Sequence, residues 1–120
     1  MISQAVRIAL PLGDPNGIGP EIALKTAAAY AGRPDVFLTL FGPQVVLQQT
    51  AQCLGLTDLL AATPVVFTAA MPTGTFQPGR VCAEAGSAMI SAASSAITAT
   101  RRGDFDAVVA GPHHETAVHL

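Results

Sequence analysis

The chain has 120 residues, half of them apolar and 12% charged, with a formal charge of −2 from six Lys or Arg against eight Asp or Glu. That length suits one domain with its own core, and that composition excludes a generally disordered chain. Lys25 is the only lysine and Arg101-Arg102 the only adjacent basic pair, so no basic cluster is available to neutralise a phosphate backbone, which argues against nucleic-acid binding.

No signal-peptide run opens the chain, because Arg7, Pro11 and a Gly-rich turn interrupt it. No stretch of about 18 apolar residues could span a bilayer. Cys53 and Cys82 lack zinc or redox spacing and read as reduced, partly buried thiols, which suits the cytoplasm. A positive mean hydropathy of +0.46 with so little charge predicts apolar patches that further protein would cover.

Val6-Arg7-Ile8-Ala9-Leu10-Pro11-Leu12 is a short apolar run between turn residues, the pattern of a buried strand. Gly13-Asp14-Pro15-Asn16-Gly17-Ile18-Gly19-Pro20-Glu21 follows, with three glycines in seven positions. They permit a sharp reversal and close approach of another molecule to the backbone. Pro20 fits a first helical turn, where its missing N–H costs nothing, and Glu21 complements the positive helix end. Strand, polar turn and helix in this order point free N–H groups beyond the strand, where α/β proteins bind ligands. Glycines making a tight turn with no ligand would look the same, and Asp14 and Asn16 can each bond their own backbone instead of a ligand. No Gly-Lys follows Gly19, which excludes a Walker A loop, and Ile22 stands where a dinucleotide fingerprint requires glycine.

Glu21 to Ala31 carries apolar residues among good helix formers, stopped by Gly32 and Pro34. Val36 to Phe41 predicts a buried parallel strand. Pro43 then starts a helix through Val46, Leu47, Ala51 and Leu54, ended by Gly55. Pro64 to Thr68 reads as a short strand, and Met71 to Gly79, broken by two prolines and two glycines, as a loop or extended arm. A long helix begins near Glu84, runs through Ile90, Ala93 and Ile97, and closes at Arg101, Arg102 and Gly103, the arginine pair being a solvated end. Asp106 to Ala110 is the last strand, with Gly111-Pro112 beginning a loop at its carboxyl end. The alternation specifies an α/β sheet. His113, His114 and His119 invite a metal reading, but adjacent histidines in extended chain point apart and the gap to His119 matches no helical face.

Two stretches carry a resemblance. Gly13 to Glu21 is similar to the opening motif of the PdxA family of metal- and NAD-dependent dehydrogenases, named for 4-hydroxythreonine-4-phosphate dehydrogenase, and more loosely to the Gly-Asp-Gly-Ile-Gly-Pro-Glu start of isopropylmalate and isocitrate dehydrogenases. Asp106-Ala107-Val108-Val109-Ala110-Gly111-Pro112-His113-His114-Glu115-Thr116-Ala117 resembles that family's later strand and Gly-Pro loop. The resemblance covers essentially the whole chain, yet the family's proteins are much longer. It implies that residues 1–120 are the N-terminal α/β portion of a two-domain dehydrogenase, isocitrate/isopropylmalate dehydrogenase-like, with a parallel or mixed sheet flanked by helices and incomplete here. NAD and a divalent metal are the implied cofactors, a small molecule the substrate, and a homodimer the assembly.

The family's three metal-binding histidines and a Gly-His-Thr substrate segment would lie after Leu120, so no metal ligand and no catalytic residue is assigned within this chain. Asp14, Asn16, Gly17, His113, His114 and Glu115 are the candidate substrate- or cofactor-binding residues. His114 matches the family's usual His or Asn. Glu115 stands where the family usually has lysine, and a glutamate there repels a phosphate that lysine would hold. Pro112 to Ala117 is instead similar to the terephthalate dihydrodiol dehydrogenase branch, whose members oxidise a cis-diol and lose a carboxylate. The competing reading is a non-catalytic α/β module that takes an anion at the Gly-rich turn.

Overall fold

Four strands and five helices make up the computed structural model, which describes residues 5–120. The strands β1 (Val6–Pro11), β2 (Val36–Gly42), β3 (Val65–Phe67) and β4 (Ala107–Val108) form one sheet in the order β3-β2-β1-β4. Every pairing is parallel: Val6 lies opposite Val36, Leu40 opposite Val65 and Ile8 opposite Ala107. Between them run α1 (Gly19–Tyr30), α2 (Gln44–Leu54), α3 (Thr57–Ala62) and α4 (Ala83–Arg101), with α5 (Glu115–Val118) at the end. From β1 the chain steps outward through β2 to β3, then α4 carries it back to the far side of β1. With one crossover hand, this reversal requires α4 to pack on the face opposite α1 and α2.

Side-chain alternation along the strands meets that demand. Leu10 and Leu40 enter a core with Leu24 and Ala27 of α1 and Val46, Leu47 and Ala51 of α2. Their neighbours Ala9 and Phe41 point to the other face, against Ala92, Ala96 and Ala99 of α4. The alanines let α4 lie close to the sheet, and Phe41 fills the gap beside Phe105 in an edge-to-face pair with centroids 5.6 Å apart. The outer face of α4 exposes Ile90 and Ile97, and no charged residue occurs between Glu84 and Arg101.

Several local features differ from the sequence reading: the strand expected over Asp106 to Ala110 pairs only at Ala107–Val108, with its continuation bonded to β1 as extended loop, and Glu115–Val118 forms a short helix where a loop was expected. Burial of β2 holds only from Thr39 onward; Phe37 is half exposed, because the helices cover the carboxyl ends of β1 and β2 and leave the first residues of these two strands open. Residues 57–62, assigned no element from sequence, form α3. Gly55 at φ 69° ends α2, and Leu56 N–H donates back to Ala51 O at 2.8 Å, a Schellman turn that aims Leu59 and Leu60 at the core. Among the described residues no helix is long and apolar enough to cross a membrane.

Candidate functional site

β1 and β4 are neighbours whose connections leave in opposite directions, so their carboxyl ends mark the switch point where open parallel sheets bind ligands. The two loops leaving that point are the two stretches singled out in the sequence.

They are joined through backbone. Val109 N–H donates to Ala9 O and Gly111 N–H to Pro11 O, each at 2.9 Å, and Asp14 N–H donates to Pro112 O at 2.7 Å. The strand ladder thus continues past both strands into their loops. Only glycine fits at this seam. A Cβ on Gly13, whose φ is 79°, would lie 2.2 Å from Pro112 O, and one on Gly111 would lie 2.2 Å from Leu12 O. Gly19, at the start of α1, is equally constrained, with Leu12 O 2.0 Å from a Cβ there. Gly17 is different: it is exposed, and a Cβ would meet nothing closer than the Asp14 carboxylate at 3.1 Å.

Asp14 and Asn16 hold the turn. The Asp14 carboxylate accepts Asn16 N–H at 3.0 Å, and Asp14 O accepts Gly17 N–H at 3.1 Å, the local Asx pattern that the sequence left open beside a ligand role. Asn16 is only 1% exposed, and its amide faces the arm before α4. It donates to Thr75 O and Arg80 O, both at 3.1 Å, and lies 3.6 Å from Cys82 Sγ, while its oxygen accepts Gln77 N–H at 2.9 Å. Asn16 O also accepts Gly79 N–H. Sequence reasoning did not foresee this arm contact, since its partners lie 59 to 66 positions away and no local spacing signals it. Cys82 is buried beside the Asn16 amide, whereas Cys53, expected from sequence to be partly buried, is exposed on α2; both are free thiols.

On the other loop His113 is exposed and His114 half-buried, its Nδ1 enclosed without a hydrogen-bond partner. Glu115 opens α5 with its side chain 92% exposed, 4.0 Å from His119 Nε2. α5 rests on α4 at Gly86, where a Cβ would come within 2.2 Å of Ala117 O. The structure therefore unites the two loops by their backbones, turns Asn16 towards the arm, and leaves Gly17, His113 and Glu115 facing outward. Among the described residues no three His, Cys, Asp or Glu side chains converge to hold a metal ion, so the residues here do not fit a metal centre by themselves.

At the opposite end of the same two strands, Arg7 and Asp106 fasten the sheet. Arg7 N–H donates to Asp106 Oδ2 at 2.8 Å, the guanidinium reaches Oδ1 at 3.0 Å, and Asp106 N–H returns a bond to Arg7 O at 2.8 Å. Hydrogen bonds from Arg7 hold the Asp106 carboxyl below its ordinary range, and the same contact raises the guanidinium.

No protein-family model matches the chain. Among curated proteins, a 1,2-dihydroxy-3,5-cyclohexadiene-1,4-dicarboxylate dehydrogenase from Comamonas is 39% identical over 115 residues, covering 94% of this chain and 36% of that protein. A 4-hydroxythreonine-4-phosphate dehydrogenase from Synechocystis is 34% identical over 122 residues, covering 92% and 34% respectively. A solved terephthalate 1,2-cis-dihydrodiol dehydrogenase from Burkholderia xenovorans superposes with a TM-score of 0.79 at 38% identity, covering 96% of this chain and 36% of its own. The chain is homologous to PdxA-like dehydrogenases. It spans about a third of the length of the curated relatives it matches, and its four-stranded parallel sheet with flanking helices is shared with the PdxA-like structures.

Proposed function

We propose that this chain forms the N-terminal portion of a longer, two-domain, NAD- and divalent-metal-dependent dehydrogenase of isocitrate/isopropylmalate dehydrogenase type. In this reading the enzyme oxidises a secondary alcohol and releases a carboxylate as carbon dioxide, and works as a homodimer in the cytoplasm. The observation that carries it is the joining of the Gly13–Gly17 turn and the Pro112–Glu115 loop at the switch point of the sheet.

The favoured substrate is a carboxylated cis-dihydrodiol. Support comes from Glu115, exposed at the rim where a phosphate would meet a negative charge, and from the higher identity to the dicarboxylate dehydrogenase. NAD, when bound, takes up the hydride. This chain's own contribution is positional. The seam at Gly13 and Gly111 fixes the spacing of the two loops, Asn16 keeps the arm folded against the turn, and His114 stands half-buried on the second loop. Metal ligands would come from later chain.

Following NADH formation by the intact polypeptide decides the reading. Turnover of a carboxylated cis-diol, with little on phosphorylated hydroxythreonine, is expected; preference for the phosphate ester overturns the assignment of substrate.

A further inference from the structure

Only part of α4 meets water, and its exposed residues form a narrow stripe. Apart from Thr98 they are Ala83, Ser87, Ile90, Ser94, Ile97 and Arg101, alternating steps of four and three residues from one end of the helix to the other. Such spacing averages 3.5 residues, the period that keeps one stripe of a helix facing a second helix along its whole length. A helix that only covers its own sheet needs apolar side chains on the inner face alone. In α4 that face is already filled by Ala85, Met89, Ala92, Ala96 and Ala99, while Ile90 and Ile97 stand 47% and 49% exposed on the outer one.

The order of side chains along the stripe selects its partner. Laid antiparallel on an identical stripe, with Ala83 opposite Arg101, it sets Ile90 against Ser94 of the second copy and Ile97 against Ser87, so each large side chain meets a small one. Two-fold symmetry supplies every contact twice. The charges agree. Glu84 and Arg101 lie about 25 Å apart along the helix, too far to meet within one copy, and among the described residues neither has an ion-pair partner. Antiparallel pairing brings Arg101 of each copy to the first turn of the other helix, next to Glu84, and opposes the two helix dipoles. Parallel pairing would instead set isoleucine on isoleucine and Arg101 on Arg101.

We propose that the outer face of α4 is a self-association surface, on which a second copy of this chain packs its own α4 antiparallel. The pairing follows from α4 alone and does not rest on the dehydrogenase reading. One pair of helices about 28 Å long falls at the low end of specific interfaces, so the dimer is weak and its population rises with concentration.

Sedimentation equilibrium of the 120-residue chain tests it. The mean mass should rise with concentration from 12.2 kDa and level off at twice that value. Ile90→Lys, at an exposed position, should keep the fold by circular dichroism and stay monomeric. Glu84→Arg and Arg101→Glu should each weaken self-association roughly tenfold, since each turns two attractive contacts into repulsive ones. Mixed together, these two variants should associate again, as should the chain carrying both exchanges. Should a charge variant unfold, Ile90→Lys and Ser94→Lys carry the test. Wild-type association by folded Ile90→Lys, a mass that climbs past the dimer without levelling, or no recovery in the mixture would each overturn the surface. Monomer mass at every concentration would leave the face to another segment or partner, and overturn it equally.

Discussion

The carbonyl oxygen of Pro112 occupies the place a side chain would take at Gly13, 2.2 Å from an idealised Cβ, while accepting a 2.7 Å hydrogen bond from the N–H of Asp14. The two loops are therefore so close that their backbones determine each other's path. A site built on them inherits its spacing from two glycines.

Gly13→Ala should destabilise the fold by about 3 kcal/mol or more, combining a left-handed φ for a non-glycine residue with a contact no rotamer can relieve. Gly32→Ala supplies the comparison, since Gly32 has nearly the same φ of 80° but nothing within 4 Å; it should cost only about 1–2 kcal/mol. Chemical denaturation of both variants measures the difference. Equal losses would mean that strain alone governs the seam.

Asn16→Ala removes two amide donors and an acceptor from a buried place, leaving Thr75 O, Arg80 O and Gln77 N–H without that partner. A loss of about 2–4 kcal/mol is expected. Hydrogen exchange should quicken across residues 72–82 before the β1–β2 ladder loosens. Asn16→Asp should do no better, because a carboxylate would face the same carbonyls. Unchanged exchange in the arm would show that Asn16 does not hold it.

Gly86→Ala should separate the two ends of α4. Alanine is the better helix former by about 1 kcal/mol, but its methyl would displace Ala117 and with it α5. The sheet should keep its stability while proteases gain access to residues 113–120. Unchanged proteolysis of that segment would show that α5 adapts to the methyl.

The Arg7–Asp106 pair predicts the acid limb of stability. Asp106 has its pKa lowered by folding, so its contribution is complete above the ordinary carboxylate value of about 4 and fades as pH falls through the lower folded value. Asp35, lowered by Arg33, has the same sign. Asp106→Asn should be less stable than wild type at neutral pH and converge with it in acid. Both pairs are exposed, so high salt should shrink the gap. Parallel pH curves for the two proteins would count against the pair.

Much of this arrangement is legible in the sequence. The apolar runs at Val6 and Val36, the Gly-rich turn and the stop at Gly103 are local patterns, and the alternation of strand and helix fixed the class. α3 escaped because six residues carry too little periodicity to read; its two leucines acquire meaning only against a core assembled from α1 and α2. Asn16 is the clearest case of what spacing cannot deliver. Its type suggested a turn or a ligand contact, whereas its partners are set by where α4 begins, a tertiary fact. The seam between Gly13 and Gly111 was likewise invisible residue by residue, although strand order made the loops neighbours.

The outer face of α4, with isoleucines at 90 and 97 and no charge from Ala85 to Thr100, governs how the molecule behaves in bulk. A rod of small and greasy side chains offers neither electrostatic repulsion nor a tightly held water layer to keep copies apart. Samples concentrated for spectroscopy should therefore show light scattering that climbs with protein loading, and placing a lysine at position 94 should suppress it without touching the sheet.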